Sequence, residues 1–128
     1  MGRWLETLFL TIAGNRGAVS VGTLYRPPSG DINLAMEELT VILNKLQRMP
    51  VHVMGDFNIN LHSKNSRDVK YLETVTLGLG FAPLISTATH EKPGCKPSCI
   101  DNIFTNDRVR NHRPWSWNNP SPCYLPML

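Results

Sequence analysis

The chain has 128 residues, 41% hydrophobic and 18% charged, an ordinary balance for burying one core, which limits it to one domain or part of one. Thirteen Lys and Arg against ten Asp and Glu leave a formal charge of +3, an excess compatible with a polyanionic partner and also common among soluble proteins. Three cysteines, Cys95, Cys99 and Cys123, cannot all pair within the chain and lack the even-numbered spacing of a secreted disulfide framework, so a reducing compartment is expected.

The opening MGRWLETLFLTIAG sets a basic residue before an apolar run, as signal peptides do, but Glu6 interrupts the run and its period of two suits a strand better. Glu6 also stands where a myristoylation signal needs Ser or Thr. No stretch approaches the roughly 18 apolar residues of a membrane span, and a soluble intracellular chain is expected. Residues 4–13, WLETLFLTIA, and 18–25, AVSVGTLY, are β-branched or aromatic runs separated by GNRG, a hairpin pattern. The second run stops at Pro27 and Pro28.

From Asp31, a plausible N-cap, the apolar positions Ile32, Ala35, Met36, Leu39, Ile42, Leu43 and Leu46 follow helical spacing up to Pro50. VHVM at 51–54 reads as a short buried strand and NLHSKNSRD as a polar loop. Val69, Leu72, Val75 and Leu79 suggest a second helix, closed by Gly78 and Gly80. FAPLI and CIDNIFT follow as a weaker and a firmer strand, with the loop THEKPGCKPS between them. The order β-β-α-β-α-β-β means a mixed α/β sheet. After Asn106 no period is sustained, and four of the ten prolines fall there, so residues 108–128 are expected to be an irregular or disordered tail on a domain spanning 1–107.

Functional groups of α/β sheets gather beyond the C-terminal ends of strands. Asp56 and Asn58 stand at such a position in HVMGDFNIN. On extended backbone, residues two apart face the same side, so the pair can hold a water, Asp accepting its proton and Asn orienting it. The competing reading is an Asx-type turn, both side chains bonding nearby amides. Two further polar clusters mark strand edges: LYRPP at 24–28 and SCID at 98–101. His90, Cys95 and Cys99 lack a fourth partner for zinc, and Trp115, Trp117 and Arg113 lie in the proline-broken tail. His52 and His62 read most simply as surface or loop residues.

VGTLYRPP, VHVMGDFNIN and SCIDNIFTN, in that order and spacing, resemble the endonuclease/exonuclease/phosphatase superfamily, and within it the apurinic-type endonuclease domain of non-LTR retrotransposons. The likeness runs from residue 4 to about 107 and matches only the later half of the family domain. It implies a partial DNase I-like α/β sandwich, a mixed and mostly antiparallel sheet with helices on one face.

In that resemblance Tyr25 contacts the scissile phosphate, Asp56 orients or deprotonates the attacking water, and Asn58 helps bind phosphate and nucleophile. Asp101 matches the Asp that supports a catalytic histidine, while Thr89 and Ser98 match polar positions near the phosphate. Arg26 adds a phosphate contact or, equally, pairs with a surface carboxylate; Tyr25 equally suits sheet-edge packing. Mg²⁺ is the cofactor implied for the complete domain, DNA the partner, and the nucleus the location. The family's metal-binding Glu belongs to an upstream strand, and Glu6, on the later ETLF-like strand, reads as solvent-facing. The closing Ser-Asp-His is also missing, and RNHRP, with His112, follows Asp101 too soon to replace it. No metal ligand is therefore assigned, and an inactive endonuclease fragment is expected. The alternatives are a phosphatase acting on a small phosphorylated molecule or lipid, and a non-enzymatic remnant that binds nucleic acid weakly. Half of a two-layered sandwich would also leave an apolar sheet face uncovered, and with it a route to self-association.

Overall fold

A computed structural model describes residues 4–107. The tail from 108 on, with His112, Arg113, Trp115, Trp117 and Cys123, lies outside the described residues. Strands β1 (Glu6–Gly14) and β2 (Gly17–Tyr25) form the hairpin. Helix α1 (Ile32–Leu46) crosses over to β3 (Val51–Asp56), which runs parallel to β2. Helix α2 (Arg67–Gly78), the two-residue β4 (Ala82–Pro83) and β5 (Asp101–Thr105) complete the order. The sheet is β1-β2-β3-β5-β4, antiparallel in every pairing except β2 with β3.

Local chemistry explains the element ends. Asp31 Oδ1 accepts from the amides of Asn33 at 2.8 Å and Leu34 at 3.2 Å, satisfying donors that the first helical turn leaves without intrahelical partners. Ser66 caps α2 by accepting from the Asp68 amide, and Asp68 adds a negative charge where the helix dipole favours it. Gly80 follows α2 with φ +85°, a backbone conformation that costs glycine least. It turns the chain so that Phe81 enters the core fully buried.

Both helices contribute to one core on a single face of the sheet. Ala35, Met36, Leu39 and Leu43 of α1 and Val69 and Leu72 of α2 join Leu24, Val51, Val53 and Phe104 of the strands. Strand alternation sends the intervening residues to the opposite face, where Leu8, Leu10, Ile12, Tyr25 and Met54 are exposed. Two asparagines, Asn102 buried and Asn106 half-buried, tie the elements together. Asn102 gives its carboxamide NH₂ to the Ile85 carbonyl and accepts from the Ile85 amide, a side-chain copy of a β-ladder bond pair. Asn106 accepts from the Val51 amide at 2.7 Å and donates to the carbonyls of Met49 and Gln47, pinning the end of α1 to the start of β3.

Candidate functional site

Register brings three of the residues singled out in the sequence into one row. Tyr25 pairs with Asp56 across β2 and β3, and Asp56 with Asp101 across β3 and β5. Directly opposed residues share a face, and adjacent strands lie about 4.8 Å apart, so the three side chains stand side by side on the helix-free face at one end of the sheet. Glu6 extends the row by pairing with Tyr25. Its place is legible in the sequence after all, since counting outward from the Gly14–Gly17 closing pair reaches Glu6 opposite Tyr25.

Beyond Asp56 the extended backbone that was to carry Asn58 on the same side ends. Asn58 adopts φ 49°, and its amide donates to Asp56 Oδ1 at 2.9 Å, so the Asx-type turn does form. The Asn58 carboxamide folds back and donates to the Arg26 carbonyl at 2.6 Å. The Arg26 amide in turn donates to the Asp56 carbonyl. Asp56 thus spans both readings: one carboxylate oxygen holds the turn, while Oδ2 accepts no hydrogen bond among the described residues.

Arg26 is only 5% exposed. Its guanidinium donates to the carbonyls of Phe57, Asn58 and Gly30. Neither the surface ion pair nor an open phosphate contact is the role this arrangement gives it: it clamps the GDFN turn from beneath. Thr89 accepts at Oγ1 from the amides of Ile100 and Asp101, and so sets the start of β5. Ser98 joins His90 in a pair of backbone hydrogen bonds and lies three residues ahead of the row.

The glycine in GDFN has a steric cause. Gly55 lies so close to β2 that a Cβ there would overlap the Leu24 backbone. Any larger residue would push β2 and β3 apart beside the Tyr25–Asp56 pair.

The buried Cys99 thiol is pushed above its ordinary value of 9.0, by burial first and then by the Asp101 charge, with Lys64 and an Asn102 hydrogen bond acting the other way. It is a packed, protonated thiol rather than a nucleophile.

Among the described residues, no group of three or more His, Cys, Asp and Glu side chains gathers to hold a metal ion. Of the row's carboxylates only Asp56 and Asp101 are on adjacent strands, and two monodentate acids are a sparse set for magnesium. The described residues do not make a magnesium site by themselves. No helix among the described residues is long and apolar enough to cross a membrane.

The fold has counterparts among solved structures. The endonuclease domain of TRAS1, a telomere-specific non-LTR retrotransposon, superposes with a TM-score of 0.66 at 16% identity over 77% of this chain and 47% of that one. The chain has the fold of the endonuclease/exonuclease/phosphatase family. An endonuclease/exonuclease/phosphatase family protein from Leptotrichia buccalis shares it, with a TM-score of 0.55 at 20% identity over 78% of this chain and 40% of that one. So does a Staphylococcus aureus beta toxin with bound magnesium ions, with a TM-score of 0.55 at 18% identity over 84% of this chain and 44% of that one. The chain spans less than half the length of each of these endonuclease/exonuclease/phosphatase-fold neighbours. No protein-family model matches the sequence, and no curated protein matches it.

Proposed function

We propose that this chain is the later half of a DNA endonuclease domain of the retrotransposon type, carrying part of a phosphodiester-hydrolysing site and inactive without the rest. The observation that carries this reading is the cross-strand row Tyr25–Asp56–Asp101. In the complete site the Tyr25 hydroxyl donates to a non-bridging phosphate oxygen, and the free oxygen of Asp56 takes a proton from the water that attacks phosphorus. Asn58 holds the turn that aims Asp56, and Asp101 offers a carboxylate to a general acid supplied from elsewhere. Thr89 and Ser98 set the approach to Asp101, while Arg26 supports the turn without touching phosphate. The attack displaces the 3′ oxygen, which leaves with a proton.

What is missing limits turnover. The metal-binding Glu and closing His that the resemblance implies have no counterpart in its motifs among the described residues, and losing a single such group costs about a hundred- to a thousand-fold. Magnesium would supply electrostatic neutralisation of the phosphate once ligands from further strands were present. Residual contact with nucleic acid would be weak. Of the thirteen Lys and Arg, Arg3, Arg108, Arg110 and Arg113 lie outside residues 4–107, leaving nine against ten acidic side chains within them. A chromosomal DNA substrate would put the parent protein in the nucleus.

Two arms test the proposal. The purified chain with Mg²⁺ should nick supercoiled plasmid no faster than its Asp56→Ala variant. A chimera joining residues 4–107 to the N-terminal part of a similar retrotransposon endonuclease should nick plasmid, and Asp56→Ala or Tyr25→Phe within it should lower the rate at least a hundred-fold. A folded chimera whose nicking is indifferent to Asp56 would sink the reading.

A further inference from the structure

The two edges of the sheet are built differently. At one edge β4 has only two residues, one of them Pro83, and shortness and proline both block further pairing. At the other edge β1 is nine residues long and pairs with β2 without a bulge or slip. Its sequence ETLFLTIAG contains no Pro and no Lys and its one charge, Glu6, stands at the strand's end, so among the described residues its central stretch carries neither of these edge-blunting residues. The two-residue turn makes Gly14–Gly17 the hydrogen-bonded closing pair, so even-numbered residues direct their amides toward β2, while Thr7, Phe9, Thr11 and Ala13 present theirs outward. The same strand carries the most exposed apolar side chains of the sheet, Leu8 at 63%, Leu10 at 62% and Ile12 at 58%.

We propose that β1 is a homodimerisation edge, pairing antiparallel with β1 of a second copy about a two-fold axis at Leu10. That register uses the outward amides, with Phe9 and Thr11 of one copy bonded to Thr11 and Phe9 of the other. It sets Leu10 against its counterpart and Leu8 against Ile12 of the partner, so the two apolar stripes merge into one. The ends match in charge. Glu6 faces Gly14 of the other copy, beside the turn that carries Arg16. An isologous contact of this kind closes on itself and stops at two chains. It goes beyond the endonuclease reading and does not depend on it, since β1 lends the proposed chemistry nothing but the row's end.

The test is light scattering on the purified 128-residue chain from about 5 to 200 µM, beside Thr11→Pro and Leu10→Cys. Proline at Thr11 removes an outward amide and leaves the β1–β2 ladder whole, so a dimer in the parent chain and a monomer in Thr11→Pro is the expected result. With Cys95 and Cys123 replaced by Ser, Leu10→Cys should oxidise to a covalent dimer, because opposed residues of a non-hydrogen-bonded pair have Cα atoms about 4.5 Å apart. Leu8→Cys alone should not. A parent chain monomeric at 200 µM overturns the proposal. So does a dimer that survives Thr11→Pro, which would mean that the sheets stack by their faces. Should Thr11→Pro unfold, the Leu10→Cys and Leu8→Cys pair decides: equal crosslinking of the two, or none, overturns it as well.

Discussion

Tyr25 and Asp56 stand directly opposite each other on the parallel strands β2 and β3, and one step further the Arg26 amide donates to the Asp56 carbonyl at 2.9 Å. Parallel pairing requires a crossover, and α1 supplies it. The distance of thirty-one positions in sequence between the phenol and the carboxylate is closed by that helix.

The spacing of those two strands predicts opposite outcomes at two glycines. Gly55→Ala should destabilise the chain by about 3 kcal/mol or more, since the new methyl meets backbone that cannot move aside. Gly78→Ala, at the last residue of α2 with open space around it, should stabilise by about 0.5 kcal/mol. Urea unfolding monitored by circular dichroism gives both values.

Arg26 should behave as a core residue. Arg26→Met leaves three carbonyls without their donor and should cost about 2–4 kcal/mol. Arg26→Lys should recover little of it, because one ammonium cannot span the planar fork. Unchanged urea midpoints for both variants would contradict the inward clamp.

For Asn102, 2% exposed, Ala should cost about 2 kcal/mol by stranding both backbone groups of Ile85. Amide hydrogen exchange should localise the loss, with Ile85 and Ile103 exchanging faster while the β1–β2 hairpin keeps its protection.

Cys99 gives a pH dependence with a defined sign. Its thiol titrates above 9.0 in the fold, chiefly from burial, so its contribution to stability is complete below the unfolded thiol's pKa and is lost as pH rises toward the folded value. In a Cys95→Ser, Cys123→Ser background the unfolding free energy should fall as pH rises past the unfolded thiol's pKa of about 8.5, and fall less when Cys99 is replaced by Ala. Under native conditions iodoacetamide should label exposed Cys95 well before Cys99.

Much of this molecule is readable from one chain. The apolar period of 31–50 gives α1 with its Asp31 cap, and the order of elements and the mixed sheet follow from the alternating runs. The FAPLI run shrank to Ala82–Pro83, because proline lacks the amide a longer ladder needs. The Asp56–Asn58 pair was only half legible: the residue types suit a water site and an Asx turn alike, and the left-handed backbone at Asn58 is a choice no periodicity records. Neither expected role of Arg26, phosphate contact or surface ion pair, foretells its burial, which depends on carbonyls that come from Gly30 and from a turn about thirty residues further on.

Local pattern, then, determined what each segment is, because helical and extended periods are written in residues a few places apart. That β2 and β3 are parallel neighbours, that Tyr25, Asp56 and Asp101 share one row, and that β1 ends the sheet among the described residues were decided only by tertiary structure. Register depends on pairings between distant segments, and the free energy that selects them comes from a core assembled all at once.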